Sequence, residues 1–234
     1  MKPRNTGGGN SNKERVLVPS GTHFSRIVSV VFAGAIEGYY KGAKTDPRDK
    51  LIISYELSHK MRKGKDDKDV PFVISKEYAF FYGGTAHLRK DIEALLGRTM
   101  TEAECDFNNA DGMFDPSTLL GKTASVTIVH NVSKTNNKTY VNCKTVAAVP
   151  EPYCNELPQP VRELVSFDIT EFMDLQLLMK DPTFKNLNKF LKGKVESSVE
   201  YKTLVEMSNQ NQPPATNPLG TDNSNVSSAD DLPF

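Results

Sequence analysis

The chain has 234 residues, with 29 Lys+Arg offset by 29 Asp+Glu, and its length is room for one sizeable domain, or for one domain with an appendage. No apolar run approaches the ~20 residues of a bilayer-crossing helix, and the opening MKPRNTGGGNSNKER lacks the apolar segment of a secretory signal. Three cysteines (Cys105, Cys143, Cys154) without C-x-x-C spacing argue against a disulfide framework or zinc site and point to a reducing, cytoplasmic setting.

The neutral total hides an uneven distribution. Residues 1–150 carry 22 Lys+Arg against 16 Asp+Glu, whereas residues 151–234 carry 7 against 13. Opposite excesses in the two parts hint at nucleic-acid binding with an acidic appendage.

In chain order, residues 1–14 are Gly- and Asn-rich and are expected to be disordered. FSRIVSVVFAGAI (24–36) is β-branched and apolar and predicts a long first strand. EGYYKGAKTDPRDK reads as a turn or loop, with Gly38, Gly42 and Pro47 as breakers. Leu51–Leu57 alternates, placing Leu51, Ile53, Tyr55 and Leu57 inward on a second strand. HKMRKGKDDKD reads as a charged loop and PFVISKEYAFFY as a third strand. There Lys76, Tyr78 and Phe80 share one face and Glu77 and Phe81 the other, which leaves the solvent side of Tyr78, Phe80, Phe81 and Tyr82 unassigned.

AHLRKDIEALLG carries Leu88, Ile92, Leu95 and Leu96 at helical spacing, with Gly97 as the C-cap. Thr101 with Glu104 three residues on forms a capping-box pattern. After the loop FNNADGMFDPS comes a predicted hairpin. Ala124, Val126 and Ile128 alternate with Ser125 and Thr127, and Val141, Cys143 and Thr145 alternate with Tyr140, Asn142 and Lys144. Three strands, a helix and two strands is the order of the OB-fold, a five-stranded Greek-key barrel. The expected organisation is a barrel over 15–153, a helical extension over 154–207 and a disordered acidic tail over 208–234. In the extension one to three short helices are expected: Phe167, Phe172, Leu175 and Leu178 mark the first and Phe184, Leu187, Phe190 and Leu191 the second, with Pro182 between them.

A barrel of this kind binds ligands over strands two and three and the loops after strands one and four. The candidate DNA-binding residues are therefore Tyr39, Tyr40, Lys41, Lys44, Arg48 and Lys50 after strand one, and Lys60, Arg62, Lys63 and Lys65 between strands two and three. Lys134, Lys138, Tyr140 and Lys144 complete the set around the strand-four loop. Rings beside ammonium groups suit stacked bases and phosphates, and the fold is expected to bring the three loops to one side. Each segment alone also reads as an ordinary solvated hairpin, with Asp66, Asp67 and Asp69 weakening the field at 60–68.

The tail closes with Asp230-Asp231-Leu232-Pro233-Phe234, which resembles the acidic tip of bacterial-type single-stranded DNA-binding proteins. The body resembles a family of phage single-stranded DNA-binding proteins with an OB-fold. PFVISKEYAFF, HLRKDIEALLGRTMTEAE, FDPSTLLGKTASVTIVHN and KTYVNCKTVAAVP carry that resemblance, VESSVEYKTL more weakly, and it spans most of residues 15–205. The resemblance implies sequence-independent binding of single strands in phage DNA replication, recombination or repair, in the host cytoplasm. It implies a polymerase, helicase or primase as partner of the tip, and leaves a homo-oligomer open. No cofactor or metal is expected, nor an enzymatic activity. The rival from another class is a metal-dependent nuclease or DNA-modifying enzyme using Glu102, Glu104, Asp106, Asp111 and Asp115, whose spacing completes no EF-hand. A third reading is a virion or protein-interaction component built on the same barrel.

Overall fold

In the computed structural model, which describes residues 16–40, 42–64, 67–109, 111–135 and 137–210, the sheet is laid on one long β-ribbon. Its strands are β1 (Gly21–Tyr40) and β2 (Ala43–Lys63), antiparallel from Ser25↔Leu57 to Tyr40↔Ala43. The loop expected after Ile36 is instead strand. The chain reverses at Gly42, whose φ of 85° is a conformation that glycine adopts without strain. The other breakers are absorbed by irregularity: the register shifts between the Ile36–Arg48 and Gly38–Thr45 pairs, and Asp46 and Pro47 sit in that shift. A bulge tolerates proline because it needs no ladder N–H there.

The charged segment after Leu57 is likewise strand for much of its length. β3 (Asp69–Ala79) pairs with β2, and past a shift at Glu56 the ladder resumes as Met61↔Pro71, Arg62↔Val70 and Lys63↔Asp69. β4 (Thr123–Val132) pairs with the start of β1, from Gly21↔Ile128 to Arg26↔Thr123, and β5 (Thr139–Ala147) pairs with β4. The order is β3-β2-β1-β4-β5, and among the described residues no ladder joins β3 to β5. The sheet is therefore open.

The two short-range helix signals are met. Helix α1 (His87–Leu96) buries Leu88 and Ile92 and ends at Gly97 with φ 67°. Helix α2 (Glu102–Cys105) opens with the reciprocal Thr101–Glu104 capping box. Ala124, Val126 and Ile128 face inward as predicted. Thr145 does not. Thr127 faces Thr145 while Ile128 faces Cys143, so Lys144 is an extra residue and the inward position passes to Val146.

The main core lies between the sheet and α1, with Leu51, Ile53, Tyr55, Leu57, Phe72, Ile74, Tyr78, Leu88, Ile92 and Val126 among its members. Every residue from Leu51 to Leu57 is buried, because the other face of β1 and β2 is also covered. There Val31, Ala33 and Ile52 join Phe167, Ile169, Leu178, Phe184, Leu187, Leu191, Val195 and Leu204 in a second core.

The covering segment differs from the expected one to three short helices. Phe167 is not helical: it lies on β6 (Val165–Asp168), a strand parallel to β1 that takes up the edge of β1 beyond β4. After the short α3 (Tyr153–Glu156) and β6 come α4 (Leu175–Lys180), α5 (Pro182–Asn186), α6 (Lys189–Glu196) and α7 (Val199–Gln210). Asp174, Asp181 and Asn188 each accept backbone N–H groups at the start of α4, α5 and α6, and these caps divide the segment into more helices than apolar spacing shows. No helix among the described residues is long and apolar enough to cross a membrane.

Candidate nucleic-acid interface

Three hairpin tips carry the predicted cations, and strand direction fixes where each one leaves the sheet. β2 beyond Leu57 and β4 beyond Ile128 both run past the start of β1, so the β2–β3 and β4–β5 tips share that end. The β1–β2 tip lies at the opposite end of β1. The three tips therefore do not share one end of the sheet.

At the β1–β2 tip, Tyr39 is 70% exposed and faces Lys44 across the ribbon. The Lys44 ammonium donates to Glu37 at 3.2 Å. That hydrogen bond raises the Lys44 pKa and lowers that of Glu37, so the pair is locally neutral. Arg48 is exposed opposite Ile36. Lys50 is turned to Glu77 at 3.1 Å, and Lys194 of α6 reaches the same carboxylate. Burial works to raise the Glu77 pKa, but the bonds from Lys194 and Lys50 outweigh it and hold the group below the usual range. Lys50 thus ties β2 to β3 through Glu77, and Lys194 on the same carboxylate ties α6 to the sheet. The Tyr40 side chain and Lys41 lie outside the described residues.

At the other end Lys60 and Arg62 are exposed on β2, while Lys63 pairs with Asp69 at 3.0 Å. Lys65 lies outside the described residues. On the β4–β5 hairpin Lys134, Lys138 and Lys144 are exposed and Tyr140 is 49% exposed, opposite Asn131. This tip keeps the predicted combination of ring and cations.

The residues left unassigned at the end of β3 form a cluster. Tyr78 is buried, with its hydroxyl between Tyr55 (3.2 Å) and Asp91 (2.9 Å). Tyr82 is buried and donates to the Phe114 carbonyl at 2.9 Å. Phe80 packs edge-on against Phe32, Tyr82 and Phe107. Phe107, from the segment after α2, also lies nearly parallel to Tyr82 (5.2 Å, 25°) and to Phe81 (6.5 Å, 13°). Phe81 is 57% exposed and Phe107 41%. Alternation breaks where β3 ends at Ala79, and Phe107 arrives from 26 positions beyond Phe81 in the chain, so sequence spacing carried no signal for this pairing.

Three of the five acids of the rival reading are used locally. Glu104 completes the capping box and takes both Arg98 nitrogens, Asp106 accepts from the Asn108 amide, and Asp115 caps a 3-10 turn over Pro116–Leu119. Among the described residues no three His, Cys, Asp or Glu side chains are grouped to hold a metal ion. Asp230 to Phe234, the predicted partner-binding tip, lie outside the described residues. No protein-family model matches the chain, and no curated protein matches it significantly.

Proposed function

We propose that this chain is a single-stranded DNA-binding protein that coats single strands without regard to sequence and recruits replication, recombination or repair proteins through its C-terminal tip. The observation that carries the reading is the pairing pattern. β1 pairs with both β2 and β4, and a helix follows β3, as in a five-stranded OB barrel that is only partly closed. The gap such a barrel leaves between β3 and β5 is spanned by Lys76, whose ammonium donates to the Lys144 carbonyl at 3.1 Å. Exposed Tyr140 on the same hairpin as exposed Lys134, Lys138 and Lys144 supplies a ring and cations of the kind that stacking on single strands uses. The resemblance of the body to phage single-strand binders, and of the tip to bacterial ones, agrees with this assignment and with a place in the host cytoplasm.

The test is a gel shift with oligonucleotides of differing base composition over a salt series. Binding should show little base preference and weaken steeply with salt through counterion release. Tyr140→Ala should lose ~1–3 kcal/mol of binding free energy. Salt-insensitive binding, or binding to one base sequence alone, overturns the reading.

A further inference from the structure

Resting on the single-strand reading, we infer that Phe81 and Phe107 form a nucleobase-stacking platform, a site separate from the hairpin tips. Their rings lie 13° from parallel, and both keep substantial solvent exposure although Phe80 and Tyr82 beside them are buried or half-buried. Single exposed apolar side chains need no explanation, but two adjacent rings left wet over a packed aromatic base do. The base is rigid: Phe107 rests on Tyr82 and Phe80, and Tyr82 is fixed by its hydroxyl bond to Phe114. A platform held in place loses little freedom when a flat ring settles on it.

The surroundings favour a base that belongs to a polyanion. Phe80 donates its amide to the Asp49 carbonyl at 2.8 Å, which brings exposed Arg48 to the neighbouring position on β2 beside the exposed Asp49, whose carboxyl pKa is pushed up by burial and by the nearby Glu200 and Asp168. Further along the chain Gly83 and Gly84 lead into α1, whose first turn holds exposed His87 and no acid, with exposed Lys90 following. The acid next to Phe107, Asp106, is occupied by the Asn108 backbone and side-chain amides. Bases stack on such rings whatever their identity, which suits binding without sequence preference.

Gly83 provides a further handle. The Phe81 ring lies across it, where a Cβ would collide with ring carbons Cε1 and Cζ, while a Cβ on Gly84 would meet nothing. Gly83→Ala should therefore displace the Phe81 ring, and Gly84→Ala should not.

The experiment measures anisotropy of two labelled oligonucleotides of equal length, oligo-dT and the same backbone with abasic positions throughout. Phe81→Ala and Phe107→Ala should each weaken oligo-dT binding on the order of 5- to 100-fold, and leave abasic binding within about twofold, since phosphate contacts persist. Phe81→Tyr should keep wild-type affinity and Gly83→Ala should reproduce the Phe81→Ala loss, with Gly84→Ala unchanged. If wild type binds oligo-dT and both alanine variants match it, the platform is overturned while the single-strand reading stands; a surface for a protein partner would give that result. Equal losses on both oligonucleotides also overturn stacking. Failure of the wild-type chain to bind either oligonucleotide removes the single-strand reading and the platform with it.

Discussion

Lys76 of β3 and Asp91 of α1 are joined at the open seam of the sheet, ammonium to carboxylate at 2.5 Å, with the side chains only 15% and 16% exposed. The same ammonium reaches the Lys144 carbonyl of β5, and Asp91 also accepts from the Tyr78 hydroxyl. Burial, with Tyr55 and Asp91 nearby, pushes the Tyr78 hydroxyl well above the usual phenol range, so it remains a donor. Side chains thus tie β3, β5 and α1 together where no backbone ladder does. Asp91→Ala leaves an ammonium and a hydroxyl without their acceptor, and should cost about 2–4 kcal/mol, somewhat less than a fully buried pair would. Lys76→Met should cost less, because Asp91 keeps Tyr78, and the double variant should lose less than the sum. Urea unfolding of the four chains measures this; strict additivity would show that the pair is uncoupled.

Gly34 and Glu200 make a second tie, between β1 and α7. The ladder shifts between Phe32 and Gly34, and the Ala35 amide beyond the shift is taken by the Glu200 carboxylate at 2.9 Å. Gly34 has φ 82°, and a Cβ there would collide with Glu200 and with Ile169. Gly34→Ala should destabilise by about 1–3 kcal/mol from backbone strain alone, with the collision added. Glu200→Ala should cost about 1–3 kcal/mol by orphaning the Ala35 amide, and Glu200→Gln, which keeps an acceptor, should cost less. Denaturant midpoints decide the order, and a neutral Gly34→Ala would contradict the close approach.

These ties show which features were legible in the sequence. The alternation of Ala124, Val126 and Ile128, the Gly97 C-cap and the Thr101–Glu104 box are local patterns, and each is present as read. Gly38 and Pro47 announced a loop because a breaker's spacing does not reveal a bulge that absorbs it. Phe167 fitted a helical series, but its β6 partners are β1 residues more than 130 positions earlier, a pairing that local periodicity cannot encode. The cations of the candidate site were visible by type. Whether each was spent, as Lys50 on Glu77 and Lys63 on Asp69, depended on partners brought by folding.

Glu104 gives a pH-dependent expectation. Hydrogen bonds from Arg98, then from the Thr101 amide, hold its carboxyl down at about 2, below the ordinary 4.5. A carboxyl whose folded pKa is depressed stabilises the fold above its unfolded pKa, and loses that contribution as pH falls through the folded value. The stability difference between wild type and Glu104→Gln should therefore be constant above about pH 5.5 and shrink as pH drops from about 5 toward 2. Unfolding midpoints of both chains across that range test it. A difference that grows on acidification would be the wrong sign.

The C-terminal tip carries the last expectation. Leu232, Pro233 and Phe234 follow two acids at the end of a stretch, SNQNQPPATNPLGTDNSNVSSADDLPF, that has little apolar content to build a core. An aliphatic side chain and an aromatic ring form a small anchor suited to an apolar pocket rimmed by Arg or Lys, with Asp230 and Asp231 steering the approach. Deleting Leu232 to Phe234 should abolish capture of a polymerase, helicase or primase. Oligonucleotide affinity should stay equal, because the deletion removes no charged side chain and leaves Asp230 and Asp231 in place. Pull-down with purified replication proteins, run beside anisotropy on the same two chains, separates the effects. Equal recovery of partners by intact and truncated chains would mean that the tip does not recruit them, and a fall in oligonucleotide affinity would place it in the DNA site instead.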